Sequence, residues 1–283
     1  MTAIRKRSQP DNKVLVFPIL IYLLIFSGCN PGETAHSKFE SLKIDSLIKL
    51  QNINDRTVLV KFGYDAITAI KTTKGIVIVD AGISTSLTNR YKRLIEKEFN
   101  QKNFIYVINT HGHHDHIRGN SIFPHAQIIG HKSWKNDATE IENTDSTLIR
   151  IGRIVNEYDQ QLQQLNPDTH EWEENFTQKI RYLNAYLDIS KNIPFKHPDI
   201  EFIDSLNLKC GDVTFEMIHF GRFHSNSDIL IYVPGIKTLF IGDLFSKYGR
   251  PGMSKSLIPD ANRWMHALHW ITKRTDNIGT IID

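Results

Sequence analysis

The run Thr110-His111-Gly112-His113-His114-Asp115-His116 sets the pattern His-x-His-x-Asp-His directly after an apolar stretch, Phe104-Ile105-Tyr106-Val107-Ile108. No other feature restricts the fold as tightly, because a cluster of imidazoles at the end of a buried strand has to be presented at the rim of a sheet. Imidazole and carboxylate together suit zinc, with iron or manganese as alternatives. Strand residues two apart share a face, so His111 and His113 can grip one ion if the extended geometry continues past Ile108. Asp115 and His116 fall beyond the turn, where a second ion can sit beside the first. The competing reading is a solvated loop that happens to be rich in histidine. The preceding strand weighs against it.

Three further segments carry polar residues at strand ends. Gly75-Ile76-Val77-Ile78-Val79-Asp80 is an apolar strand closing on a carboxylate, and Thr238-Leu239-Phe240-Ile241-Gly242-Asp243 is another. Gly221-Arg222-Phe223-His224-Ser225-Asn226-Ser227-Asp228 separates a strand over 213–219 from one over 229–233. Strands that stop on His or Asp bring those side chains to one rim, where loops build a pocket.

In this order the four segments resemble the metallo-β-lactamase superfamily, over residue 57 to the C-terminus. The resemblance implies an α/β fold, an αββα four-layer sandwich. It implies that His111, His113 and His224 hold a first metal and that Asp115 and His116 belong to a second. Asp243 would bridge the two, and Asp80 would support the ligand loop from behind. Zinc, as two ions, is the cofactor expected, with iron as the alternative. Asp115 would also orient the nucleophile, a metal-bound hydroxide formed because the ions lower the pKa of water towards about 7. Family members carry a last histidine in a Gly-His-Gly-like turn after a further strand. Here a strand over 278–282 is followed by Asp283 alone, so the expectation is a C-terminally incomplete domain or a second site with fewer ligands.

The N-terminus reads as a targeting segment. Arg5, Lys6, Arg7 and Lys13 precede an apolar run over 14–26, short against the roughly 20 residues of a membrane span. Phe26-Ser27-Gly28-Cys29 then has the form of a bacterial lipoprotein cleavage site, with Cys29 as the lipidated residue. Residues 1–28 are thus expected to be a signal peptide and 29–56 a tether, with a short helix over 38–50. The domain would be exported, anchored in the membrane by lipid, and face the periplasm or cell exterior. The whole chain has 34 basic and 31 acidic residues; removing four basic and one acidic with the signal leaves 30 of each. No basic stripe remains for nucleic acid, which excludes a sequence-independent nucleic-acid binder. With Cys29 lipidated, Cys210 has no disulfide partner. It falls in an expected hairpin turn and is read as neither nucleophile nor ligand.

Residues 57–283 suffice for one core. Strands are expected over 58–62, 66–70 and 75–80, then a helix over 84–100 with Leu87, Tyr91, Leu94, Ile95 and Phe99 at helical spacing. Two amphipathic sets within about 135–197, broken at Asn166-Pro167-Asp168, predict an inserted helical hairpin that covers a sheet face or walls the site. His114 should point away from the metals. His266 and His269, on a helix over 261–273, are read as a packed or solvated pair, though they are the nearest substitutes for a missing ligand. His125, His131, His170, His197 and His219 are assigned no role.

The function expected from the resemblance is hydrolysis of a small molecule at an ester, thioester, lactone, β-lactam or phosphodiester bond. Lactamases with Cys at the later ligand position are disfavoured, because Asp243 stands there. Two alternatives remain at this stage. One is an inactive metal-binding fragment. The other is a mononuclear iron oxidoreductase of the same fold, using His111, His224 and Asp243.

Overall fold

The computed structural model describes residues 35–139, 144–194, 196–244 and 261–283. In chain order it contains α1 (Ala35–Leu47), β1 (Lys49–Asn54), β2 (Thr57–Phe62), β3 (Asp65–Lys71), β4 (Ile76–Val79), α2 (Thr85–Phe99) and β5 (Phe104–Ile108). Next come α3 (His114–Ile117), β6 (Gln127–His131), α4 (Trp134–Thr139), α5 (Asp145–Leu162), α6 (His170–Ser190) and β7 (Ile200–Phe202). The remainder is β8 (Ser205–Cys210), β9 (Val213–Ile218), β10 (Leu230–Val233), β11 (Thr238–Phe240), α7 (Ala261–Thr272) and β12 (Thr280–Ile282).

Seven strands form one sheet in the order β1 to β7, and five form a second in the order β12-β11-β10-β9-β8. Alternation along the strands explains how the layers stack. In β4, Ile76 and Ile78 face one core with Leu87, Tyr91 and Ile95 of α2 and Ile180 and Ala185 of α6. Val77 and Val79 face the opposite way, onto Phe215, Met217, Ile231 and Val233 of the second sheet. In β10, Leu230 and Tyr232 turn outward to Ala267 and Trp264 of α7. Helix, sheet, sheet and helix therefore stack as the expected αββα sandwich, with the sheet–sheet core in the middle.

Strand β4 runs parallel to β5, and β5 parallel to β6, so their C-terminal ends share one rim. Helix α2 begins where expected. Ser84 caps it by accepting from the Leu87 N–H, and Asn100 closes it in the left-handed region at φ 47°. The inserted hairpin is α5 and α6, held by the stacked rings of Tyr158 and Tyr182 and by the Lys179–Asp159 ion pair.

The sheet starts earlier than expected. Residues 49–54, assigned to a tether and in part to a helix, form edge strand β1 in antiparallel register with β2. Only Leu50 packs on the core from this polar strand, as suits an edge exposed on one side. The helix before it ends at Leu47 rather than 50. Cys210 is not in a turn but ends β8, buried, with Sγ 3.4 Å from Thr72 Oγ1. Signal residues 1–28 and Cys29 lie outside the described residues. Among the described residues, no helix is long and apolar enough to cross a membrane.

If the sheet–sheet core carries the fold, Phe215→Ala, at a fully buried position, should cost about 3–5 kcal/mol in urea unfolding. Ile203→Ala, at a site 57% exposed, should stay within about 0.5 kcal/mol. Equal losses at both positions would contradict this layering.

Candidate metal centre

Every expected ligand segment reaches the shared rim. His111, His113, Asp115 and His116 follow β5, His224 lies between β9 and β10, and Asp243 follows β11. The rims are joined directly: the Ile229 N–H donates to the Thr110 carbonyl at 2.9 Å. Gly242 approaches Thr110 so closely, at φ 52°, that an added Cβ would fall 2.9 Å from the Thr110 side chain.

Two groups of ligand atoms result, each within 4.8 Å: His111, His113 and His224 in one, and His111, His116 and Asp243 in the other. His113 Nδ1 faces two rings at once, 3.0 Å from His111 Nε2 and 2.8 Å from His224 Nε2. One nitrogen offers a single proton or a single lone pair, so hydrogen bonding within the trio leaves a ring unsatisfied. Three lone pairs converging on one cation leave none. The donor set therefore fits a tetrahedral zinc-type site with three imidazoles. Asp243 spans both groups, with Oδ1 3.3 Å from His116 Nε2 and Oδ2 3.4 Å from His224 Nε2.

The neighbours fix the tautomers. Asp80 accepts from the Thr110 N–H at 2.8 Å and from its hydroxyl at 2.7 Å, and lies 2.8 Å from His116 Nδ1. With Nδ1 donating to Asp80, Nε2 of His116 is the nitrogen that faces Asp243 and would exchange its proton for a cation. Thr110 Oγ1, having donated to Asp80, can accept from His111 Nδ1 at 3.2 Å, which frees Nε2 of that ring as well.

Burial drives the His111 pKa well below the usual imidazole value, helped by the neighbouring rings, and it lowers His113 in the same way. Both rings are therefore neutral at neutral pH, with lone pairs that could bind a cation. Burial also opposes charge on His116, but the Asp80 and Asp243 carboxylates on either side outweigh it and raise its pKa. For Asp115, burial would raise the carboxyl, yet His114 and His116 hold it below the ordinary carboxylate range. Asp243 is likewise held low against burial, first by His116.

Asp115 does not enter either three-residue group. Its Oδ1 lies 4.0 Å from His116 Nε2, and its Oδ2 lies 3.9 Å from Nη2 of Arg181 on α6. His114 also stays out of both groups, as expected, and His266 and His269 are exposed on α7.

Three positions were missed from sequence. Asp228 accepts from the backbone N–H groups of Phe223, His224 and Ser225 at 2.8–3.0 Å, so it shapes the loop that presents His224. Asp137 on α4 accepts from both the backbone and side chain of Asn226, and from Ser227 Oγ. Ser227 Oγ in turn accepts from the Gly112 N–H at 3.0 Å, tying the two ligand loops together. Arg181 is the third. Asp228 carried a readable signal, since an acidic residue after Ser-Asn-Ser reads as a turn that folds back on its own backbone.

The family model described as the metallo-beta-lactamase superfamily matches residues 61–276. The metallo-beta-lactamase type 2 of Bacillus cereus is 22% identical over 213 residues, which make up 75% of this chain and 63% of that protein. The chain thus spans somewhat less than two thirds of that relative's length. Among solved structures, a metallo-beta-lactamase from Pontibacter korlensis aligns at TM-score 0.53 and 15% identity, over 83% of this chain and 89% of its own. The sec-alkylsulfatase Pisa1 from Pseudomonas sp. aligns at TM-score 0.58 and 16% identity, over 84% of this chain and 38% of its own. At these identities the structural likenesses speak for the fold alone.

If Asp137 acts by binding the two ligand loops together, Asp137→Ala should weaken zinc binding roughly 10-fold or more while leaving every ligand in place. Zinc titration against a competing chelator reads this directly. An affinity within twofold of the parent would show that the loops hold themselves.

Proposed function

The chain belongs to the metallo-beta-lactamase superfamily, whose members are mostly metal-dependent hydrolases, and from that premise we propose that it is a zinc hydrolase working with two ions. The observation that carries this reading is Asp243, whose two oxygens face one ring from each ligand group, at 3.3 Å and 3.4 Å. A carboxylate so placed suits a bridge between neighbouring ions better than a ligand to a single iron.

His111, His113 and His224 would hold the first ion, and His116 with Asp243 the second. Bound divalent ions supply Lewis acidity and make water a usable nucleophile near neutral pH. The remaining work falls to the chain. Asp115 stays ionised and lines the same cavity as Asp243 and His116, and it would orient an attacking water as a hydrogen-bond acceptor. Asp80 keeps the His116 ring fixed while charge develops beside it. The cavity measures ≈ 400 Å³, the size of a small-molecule site. Its lining includes Leu59, Val79 and Phe240, together with Tyr64 and Tyr182.

The bond cleaved is an ester, thioester, lactone, β-lactam or phosphodiester. The curated relatives are lactamases by name and one structural neighbour is a sulfatase, so the screen should include both a β-lactam and a sulfate ester. Hydrolysis of at least one of these should disappear on chelation and in His113→Ala, and return to the chelated parent with added zinc. Turnover by metal-free protein would contradict the mechanism.

We also propose that the enzyme acts outside the cytoplasm, tethered through a lipid on Cys29. The basic residues 5–7, the apolar run 14–26 and the Phe26-Ser27-Gly28-Cys29 segment support this. Cys29→Ser should abolish incorporation of labelled fatty acid and move the protein out of the membrane fraction. Unchanged labelling would place the lipid elsewhere.

A further inference from the structure

The inserted hairpin sends one cation into the metal cavity. Arg181 on α6 is only 6% exposed, yet it lines the same cavity as His116, His224 and Asp243. A guanidinium has five N–H donors, and this one has spent few of them. Nη1 donates to Gln178 Oε1, a neutral partner, at 2.8 Å. Nε is buried and has no hydrogen-bond partner.

Two carboxylates lie near enough to make burial of the charge tolerable, but neither takes up these donors. Asp115 Oδ2 stands at 3.9 Å from Nη2, beyond hydrogen-bond length. Asp65 has one oxygen accepting from the Ile83 N–H at 2.9 Å and the other from the Tyr91 hydroxyl at 2.6 Å. With Asp115 Oδ2 no closer than 3.9 Å, Arg181 keeps its charge and its Nη2 hydrogens for a ligand in the cavity, on the hydrolase reading proposed above. A buried, unsatisfied donor costs roughly 1–3 kcal/mol, and more when charged. An anion at Nη2 would offset part of that cost by neutralising the buried charge.

The guanidinium is also held still. One face of α6 carries Gln178, Arg181 and Asp188, all buried. Asp188 accepts from the Thr85 N–H at 2.7 Å and the Thr85 hydroxyl at 2.8 Å, locking α6 to the start of α2. A fixed guanidinium with free donors matches an oxyanion in two-point geometry.

We propose that Arg181 is the anion-binding residue of this site, so that the substrate is a small molecule carrying an oxyanion, a carboxylate or a sulfate, at a distance from the bond that is cleaved. The aromatic rings of Tyr64 and Tyr182 would flank its body. The inference rests on the hydrolase reading of the same cavity.

The test uses the zinc-loaded full chain, the Arg181→Gln variant and the Arg181→Lys variant, with zinc content and melting temperature checked for each. Succinate binding, measured by calorimetry, should weaken by roughly 30-fold or more in Arg181→Gln. Arg181→Lys, which keeps the charge and loses the fork, should fall between. Equal succinate affinity in all three proteins would mean that the metals alone bind the carboxylate, and would overturn the proposal. If Arg181→Gln does not fold, the comparison of the parent with Arg181→Lys decides in the same way.

A second readout is the kcat/KM ratio of mono-4-nitrophenyl succinate to 4-nitrophenyl acetate. The parent should favour the anionic ester, through KM, and Arg181→Gln should lose that preference. Absence of any preference in the parent would overturn the proposal. If neither ester, nor the β-lactam and sulfate ester of the screen above, is cleaved by the parent while succinate binding still depends on Arg181, the anion site stands and the hydrolase reading falls.

Discussion

The carboxylate of Asp80 is the point from which the ligand loop hangs. The last turn of β4 puts this residue at φ 57°, a left-handed conformation that aspartate adopts more readily than most residues. From there its backbone N–H reaches the Ile108 carbonyl at 3.0 Å, and the following Ala81 N–H reaches the His116 carbonyl at 2.7 Å. Its side chain takes the Thr110 N–H, the Thr110 hydroxyl and the His116 ring. Both ends of the loop 109–116 are thereby fixed to a strand buried on both faces. Backbone strain kept at such a position is typical of sites whose surroundings over-determine them.

This arrangement needs the sandwich behind it. His224 and Asp243 belong to the second sheet, and they meet the first sheet's histidines only because Val77 and Val79 pack on Phe215 and Ile231. The same packing places Gly242 against Thr110. Core and site are thus one construction: the sheet–sheet contact sets the distance between the two halves of the donor set. The inserted hairpin adds a third side, and through Arg181 it brings a guanidinium into a cavity that also holds Asp115, His116, His224 and Asp243.

Much of this was legible in the chain. The strand over 104–108 and the helix capped by Ser84 came from apolar periodicity, and the order of ligand segments pointed to the layered fold. Strand β1 was not legible, because an edge strand exposed on one side needs only Leu50 on the core and so reads as a polar tether. Asp137 and Arg181 were not legible for a different reason. Each lies on a helix about 20 to 40 residues from the nearest expected ligand in sequence, and its contacts there exist only once α4 and α6 have docked. The position of Asp115, 3.9 Å from Arg181 Nη2 and outside both ligand groups, was not legible either, since nothing local encodes a neighbour on another helix.

Two ligand groups that share Asp243 should bind two neighbouring ions. Anomalous diffraction at the zinc edge from crystals of the zinc-loaded protein tests this most directly. Two peaks are expected, one among His111, His113 and His224 and one beside His116, with Asp243 contacting both. A single peak coordinated by His111, His224 and Asp243, or metal bound away from this rim, would contradict it.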